Sequence, residues 1–274
     1  MSDRVTVQIT DGVADVQLTR PDKMNALDHE MFVGLIEAGE RVGADPSVRA
    51  VVLHGAGRCF CAGLDMSSFQ RMAGDAQASS EDDRPARGLL GKSASSPANF
   101  AQRAAWVWNE VPVPVIAAVH GVAFGAGLQV ALGADIRIVA PDARLSVMEI
   151  KWGLIPDMTG TQTLRRLVPL DVAKELTFTG REVSGTEAVS LGLATRVSDD
   201  PHAAATELAR DIASKSPDAI RAGKQLLEAS VQVDVAEGLK LEAKAQAGLI
   251  GSPNQLESVR AAMQKRRGKF SDPS

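Results

Sequence analysis

The sequence contains no tyrosine and only two cysteines among its 274 residues. Without tyrosine, catalytic schemes that use a phenol as the general acid are excluded. Cys59 and Cys61 are separated by a single residue, a spacing that suits neither an ordinary disulfide nor a common zinc knuckle. We therefore expect reduced thiols and a cytoplasmic protein.

Long apolar runs and excess positive charge are also missing. No run is long enough to span a membrane, and the first residues carry no apolar signal core. The net charge of −4 does not favour non-specific binding to nucleic acid. The four histidines have no metal-ligand spacing, so the sequence predicts neither a metal site nor a membrane or nucleic-acid partner. They are His29, His54, His120 and His202.

The most informative stretch is a glycine-rich turn at residues 121–127. An apolar run at 113–119 precedes it and reads as a buried strand, and the small apolar residues 128–132 follow as a compact helix. The first amides of a helix have no internal partners and lie at the positive end of its dipole, so they favour an anion or a developing oxyanion. A turn that needs small residues only for packing is the alternative. A dinucleotide site is disfavoured because Val130 stands where its fingerprint needs glycine.

A second glycine-rich turn, residues 55–66, follows an expected buried strand at 48–53. It has the same order of strand, small residues and helix. Two such turns that present backbone amides are typical of a two-amide oxyanion hole.

The remaining pattern predicts an α/β protein. Two alternating strands, 5–10 and 13–18, flank Asp11-Gly12 as a hairpin. Asp28 is expected to cap a helix, and Asp171 another that ends at Gly180. The polar segment 74–83 is either a lid or a plain solvated insertion. Residues 201–274 contain four helical tracts without a strand, whose apolar stripes, Leu208 and Ile212 among them, are expected to pack on a neighbouring subunit.

Two acids, Glu149 and Asp157, lie in a loop-rich and mostly apolar segment. Dehydration in such surroundings raises the pKa of a carboxyl group towards the range that is useful for proton transfer. The alternative is a solvated loop acid, or for Asp157 a helix cap.

These segments together resemble the crotonase superfamily, the enoyl-CoA hydratase/isomerase group, over nearly the whole chain. The resemblance rests on residues 20–27, 60–65, 121–135, 149–162, 179–181 and 188–194. It implies a spiral of repeated ββα units over residues 1–200, and a helical trimerisation region over 201–274. Members are homotrimers or dimers of trimers. They act on acyl-CoA thioesters through a stabilised enolate, with coenzyme A as part of the substrate and no separate cofactor.

The resemblance also assigns roles to residues of this chain. The amides of Leu64 and Ala126 would form the oxyanion hole, and Glu149 would transfer a proton. Substrate contacts would come from a larger set: Arg20, Lys23, Ala26, Ala62, Gly63, Asp65, Met66, Gly125, Gln129, Trp152, and Phe270 or Lys269. Arg20 and Lys23 would meet the phosphates.

The sequence departs from the hydratase pattern at one position. Hydratases of this family use two glutamates; Glu149 matches the second, whereas the first falls on Gln129, which cannot act as a base. Glu149 and Asp157, eight residues apart, match the proton-transfer pair of the dienoyl-CoA isomerase branch, although that branch usually carries an acid at position 129. We therefore favour double-bond isomerisation. The alternatives are a hydratase with another way to activate water, and a CoA-binding protein that has lost catalysis.

Overall fold

The computed structural model describes residues 3–67, 91 and 96–273. The segment 74–83 expected as a lid or insertion lies outside the described residues. The strands are β1 (Val5–Thr10), β2 (Val13–Leu18), β3 (Ala50–Gly55), β4 (Val115–Val119), β5 (Val122–Phe124), β6 (Ile136–Val139), β7 (Arg144–Ser146), β8 (Val183–Ser184) and β9 (Arg196–Val197). The α-helices are α1 (His29–Ala44), α2 (Phe100–Glu110), α3 (Ala126–Leu132), α4 (Gly160–Leu167), α5 (Leu170–Thr179), α6 (Gly185–Leu191), α7 (Pro201–Ala213), α8 (Pro217–Ser230), α9 (Val235–Leu249) and α10 (Pro253–Met263).

The main sheet has the strand order β1-β2-β3-β4-β6-β9. Its edge is the antiparallel hairpin β1–β2, and each later pairing in it is parallel. Asp11 and Gly12 both have positive φ, 51° and 79°, as the favoured two-residue hairpin turns require. The expected hairpin is thus confirmed, and Asp11 is one of the residue types that tolerate this conformation.

A smaller sheet has the strand order β5-β7-β8. In the sequence, β5 directly follows β4 and β7 directly follows β6. The succession strand, strand, helix occurs as β1-β2-α1 and again as β4-β5-α3. This repetition confirms the α/β spiral of ββα units.

The two faces of the main sheet are covered by different layers. One face, with Val16 and Leu53, joins the large core formed with α1, α2 and α3. The other face, with Val13 and Val52, packs against α7. Side chains of a strand alternate between faces, which is why neighbouring residues of β2 belong to different cores.

The C-terminal helices divide into two groups. Leu208 and Ile212 of α7 pack on the second face of the chain's own sheet, so the expectation that they pack on a neighbouring subunit is wrong for this helix. An apolar stripe shows that a helix needs cover but does not show which surface supplies it. Helix α8 instead contacts α9 and α10, and several large apolar side chains there are exposed.

Helix ends follow local chemistry in most places. Asp28 caps α1 by accepting a hydrogen bond from Met31 N at 2.9 Å, as expected. Asp171 is not a cap, because Pro169 O already accepts from Ala173 N and α5 begins at Leu170. Asp171 therefore lies in the first turn, where a negative charge is favourable, and Gly180 with φ 60° ends the helix as predicted. None of the described helices is both long and apolar enough to cross a bilayer.

Candidate active site

The two glycine-rich turns lie side by side. Cys61 N donates to Val122 O at 3.0 Å, and Phe124 N donates to Cys61 O at 3.1 Å. Cys61 and Ala123 thereby form a short parallel bridge. The turn that follows β3 is thus joined by backbone hydrogen bonds to β5, the strand within the other glycine-rich stretch.

Glycine is required where the turns approach each other. Gly63 has φ 96°, and a Cβ there would lie 2.7 Å from Phe124 O and 3.9 Å from Ala126 N. A Cβ at Gly127 would lie 2.5 Å from Cys61 O. Real Cβ atoms do not approach a carbonyl oxygen so closely, so larger residues would force the turns apart.

Two backbone amides are left available at this junction. Within the described part of the chain, neither Leu64 N nor Ala126 N donates a backbone hydrogen bond. Ala126 is the first residue of α3, where the amides lack intrahelical acceptors. Both residues line one cavity, so the pair has the chemistry to hold a carbonyl oxygen that gains negative charge.

That cavity has a volume of about 600 Å³ and a mainly apolar wall that carries three acids, Asp22, Glu149 and Asp157. It is lined by Asp22, Lys23, Met24, Ala26, Phe32, Arg58, Ala62, Gly63, Leu64, Met66, Ala101, Phe124, Gly125, Ala126, Met148, Glu149, Trp152, Leu154, Asp157 and Met158. An apolar cleft with a few converging polar groups is the usual form of a small-molecule site.

Glu149 begins a short 3-10 helix, Glu149–Trp152, and is buried. Its Oε1 accepts a hydrogen bond of 2.6 Å from Gln129 Nε2, whereas its buried Oε2 has no hydrogen-bond partner among residues 3–67, 91 and 96–273. Burial raises the pKa of this carboxyl group, and the negative charge of Asp157 raises it further, against the opposing effect of the Gln129 hydrogen bond. One oxygen is therefore held in place while the other is left for a proton.

Gln129 connects Glu149 to the segment that carries the second acid. Its Oε1 accepts from Met158 N and from Gly160 N, each at 2.8 Å. The amide thus uses three hydrogen bonds to orient its neighbours, and Gln129 does not line the cavity. The structure places it behind Glu149 instead of in the expected contact with substrate.

Asp157 lines the cavity and is exposed to it. Desolvation by the surrounding walls raises the pKa of its carboxyl group. It is not a helix cap, since the cap position of α4 is Thr159, whose φ is 72° and whose side chain makes no capping hydrogen bond. The cap interpretation of Asp157 is therefore set aside.

Most of the residues assigned to substrate contact line the cavity. They are Lys23, Ala26, Ala62, Gly63, Met66, Gly125 and Trp152. Phe270 does not line it; in this chain its ring lies against Gly268.

Arg20 and Asp65 form part of the support behind the cavity wall. Arg20 Nη1 donates to Asp65 Oδ2 at 2.5 Å and to Ala26 O at 3.0 Å. Burial by itself would raise the pKa of Asp65, but hydrogen bonds from Ser67 and Arg20 outweigh it and lower the pKa to about 2. The expectation that Arg20 meets phosphates is therefore not supported, because its guanidinium group is committed to the protein.

Arg58 is a cavity-lining cation that the sequence did not single out. It stands in the second glycine turn between Gly57 and Cys59. In this turn, the resemblance assigned substrate contacts only to residues after Cys61. The signal was present, since a cation in a turn that leads into an anion-favouring site is a candidate phosphate ligand.

The chain was compared with known proteins. Residues 8–273 match the family model described as enoyl-CoA hydratase/isomerase. The human enoyl-CoA hydratase domain-containing protein 2, mitochondrial, is 33% identical over 94% of this chain and 85% of its own length. The mouse mitochondrial Delta(3,5)-Delta(2,4)-dienoyl-CoA isomerase is 34% identical over 96% of this chain and 81% of its own length.

A solved structure agrees with these matches. The enoyl-CoA hydratase from Bacillus anthracis superposes with a TM-score of 0.86 at 31% identity, covering 99% of this chain and 100% of the other. Sequence, fold and site geometry agree on one assignment. The chain belongs to the enoyl-CoA hydratase/isomerase family of the crotonase fold.

Proposed function

We propose that this protein moves a carbon–carbon double bond within an acyl-CoA thioester, without net addition of water. Lys23 and Arg58 are the cavity-lining cations suited to the phosphates of coenzyme A. The apolar side chains of the cavity receive the acyl chain.

The proposed chemistry is a proton shuttle. The amides of Leu64 and Ala126 hold the thioester oxygen, and Glu149 Oε2 removes a proton from an activated carbon of the acyl chain. The electron pair of the broken C–H bond moves into the chain and the negative charge is stabilised at the oxygen. Asp157 delivers a proton taken up from solvent to another carbon, and Glu149 releases its proton to solvent, so that the double bond shifts and the formula of the substrate is unchanged. Glu149 and Asp157 are proposed in these roles, and either order of action preserves the balance of protons.

One observation carries this proposal. The carboxylate of Glu149 is oriented through one oxygen, its other oxygen has no hydrogen-bond partner among the described residues, and Asp157 of the same cavity is close enough to raise the pKa of Glu149. Hydratases of this family carry a glutamate at the position of Gln129 in addition to the one that Glu149 matches. Here the amide of Gln129 is already hydrogen-bonded to Glu149, Met158 and Gly160. The mouse relative that is named a dienoyl-CoA isomerase supports the same interpretation.

The test uses Glu149→Gln and Asp157→Asn, assayed separately on 3-enoyl-CoA and 3,5-dienoyl-CoA thioesters. Each variant keeps the size of the side chain and loses the ability to exchange a proton. Losing one such group lowers a rate by about 10²–10⁴-fold. Full activity in both variants on both substrates would contradict the assignment.

Water addition is the second candidate function. The carboxylate of Asp157 is open to the cavity, so it has room for an activated water beside it, and relatives with matching folds are named hydratases. Hydration of crotonyl-CoA is measured as the loss of absorbance of its conjugated thioester. If this loss occurs and becomes slower in Asp157→Asn, the result would favour water addition over isomerisation.

A further inference from the structure

A second cluster of titratable side chains lies away from the thioester cavity, on the face of the main sheet that packs against α7. Asp15 comes from β2, His54 from the neighbouring strand β3, and His202 from the first turn of α7. The three residues are far apart along the chain, which explains why the spacing of the histidines predicts no metal site.

The ligand atoms converge on one point. Asp15 Oδ1 lies 2.8 Å from His54 Nε2 and 3.3 Å from His202 Nε2. The two imidazole rings are 4.1 Å apart between centroids. One ligand atom from each of the three residues lies within 4.8 Å of the other two.

His54 supplies an independent indication that a ligand belongs here. Its side chain is only 9% exposed, and its Nε2 has no hydrogen-bond partner within the part of the chain that the structure describes, because the short contact to Asp15 lacks the direction of a hydrogen bond. A buried polar atom without a partner is costly and rare in native proteins. His202, by contrast, has the geometry of a hydrogen bond to the same carboxylate.

Two imidazole nitrogens and one carboxylate oxygen are a donor set that zinc and related divalent transition metals prefer. Donor atoms at about 2.0–2.1 Å from a tetrahedral ion are about 3.3 Å apart. The Asp15–His202 separation has this value, and the Asp15–His54 separation of 2.8 Å would have to lengthen slightly when an ion binds. The cluster opens on a cavity that leaves room for a water as the fourth ligand. Asp199 and Asp200 line the same cavity, and their negative charge offsets the positive end of the α7 dipole. His120 also lines it, but its Nε2 is held 2.9 Å from Gly57 O.

We propose that Asp15, His54 and His202 bind one divalent transition-metal ion, with zinc as the natural probe. The ion joins two strands of the sheet to the start of α7, so its role is to fasten this helix to the sheet. The site does not depend on the proposed isomerase activity, because none of its three ligands lines the thioester cavity.

The experiment uses the full chain, treated with a chelator and then dialysed. Zinc is titrated by calorimetry, thermal unfolding is followed with and without zinc, and cobalt(II) replaces zinc to report coordination through its visible absorption. We expect one ion per chain, a melting temperature that rises with zinc concentration, and a cobalt spectrum typical of four-coordination.

The discriminating variants are His202→Gln and Asp15→Asn, which alter partly exposed side chains and are expected to fold. Each should weaken zinc binding about tenfold or more and abolish the rise in melting temperature. His29→Gln is the matched control, since His29 stacks on Phe100 outside the cluster. Absence of zinc binding by the unaltered chain, or equal binding by both cluster variants, would overturn the proposal.

Discussion

At Glu149, one carboxylate oxygen is held by Gln129, and the other is buried with no hydrogen-bond partner in the described structure. Burial disfavours the charged form, and the charge of Asp157 acts in the same direction. A raised pKa makes a carboxylate a stronger base and keeps a protonated acid available nearer neutral pH. Position and proton affinity of the proposed base are thus set by two neighbouring side chains.

The pH dependence of the reaction should reveal this coupling. A base acts when deprotonated, so kcat/KM should fall as the pH drops through the pKa of Glu149, at a pH above the ordinary glutamate value of 4.5. Asp157→Asn removes a charge that raises this pKa, so the acid limb of the residual activity should move to lower pH. The control variant Asp211→Asn, on α7, should have the same acid limb of the pH profile as the unaltered protein. An acid limb that does not move in Asp157→Asn would contradict the coupling.

Gln129 should matter for stability as well as for chemistry. Gln129→Leu leaves the amides of Met158 and Gly160 and one oxygen of Glu149 without their partner. Since each of these three buried groups costs about 1–3 kcal/mol when left unsatisfied, we expect a loss of at least about 3 kcal/mol in the free energy of unfolding. Urea denaturation measures it. Gln162→Leu, at an exposed position of α4, should change the value by less than about 0.5 kcal/mol, and equal effects would show that Gln129 is not the connection described.

At this scale, the sequence predicted which residues carry the chemistry better than it predicted what they touch. Glu149 and Asp157 could be selected because carboxylates in an apolar segment are unusual. The partners of Gln129 and Arg20 could not be selected, because Gly160 and Asp65 lie far along the chain and are brought close only by the fold.

At the scale of elements, the two glycine turns carry the amides of Leu64 and Ala126 that are proposed to bind the oxyanion. Gly63→Ala would place a methyl group 2.7 Å from Phe124 O at a φ of 96°. We expect a loss of about 1–3 kcal/mol in stability from strain. Displacement of the Leu64 amide should lower kcat by about 10²–10³-fold.

A glycine in open space provides the control for that prediction. Gly248 lies within α9, and a Cβ there would meet nothing within 4 Å. Gly248→Ala should stabilise the helix by about 0.5–1 kcal/mol and leave kcat unchanged. Retention of normal kcat in a folded Gly63→Ala variant would contradict the role given to the turns.

Elements with strong local signals were predictable, whereas their partners were not. Residue alternation and Asp11-Gly12 predicted β1 and β2 with the bounds that the structure shows. The apolar stripe of α7 predicted burial correctly, but only the folded chain shows that Leu208 and Ile212 meet their own sheet. Periodicity reports that a face is buried and carries no information about the surface that buries it.

At the scale of the whole molecule, the last three helices leave large apolar side chains in contact with solvent. They are Leu227, Val231, Val235, Leu239, Ile250, Leu256, Val259 and Met263. Apolar patches of this kind mark surfaces for association, and we propose that these helices join copies of the chain into a trimer or a dimer of trimers. Light scattering after size exclusion should give three or six times the chain mass of 28.8 kDa, and Leu227→Asp should lower it. A single species of one chain mass at micromolar concentration would contradict the proposal.

The most direct test of the central claim is the mass and structure of the product formed from a 3,5-dienoyl-CoA thioester. If Glu149 and Asp157 shuttle a proton beneath the amides of Leu64 and Ala126, the product is a double-bond isomer of unchanged mass, and it forms far more slowly in Glu149→Gln. A product heavier by one water, or an isomer formed equally fast by the variant, would contradict the account.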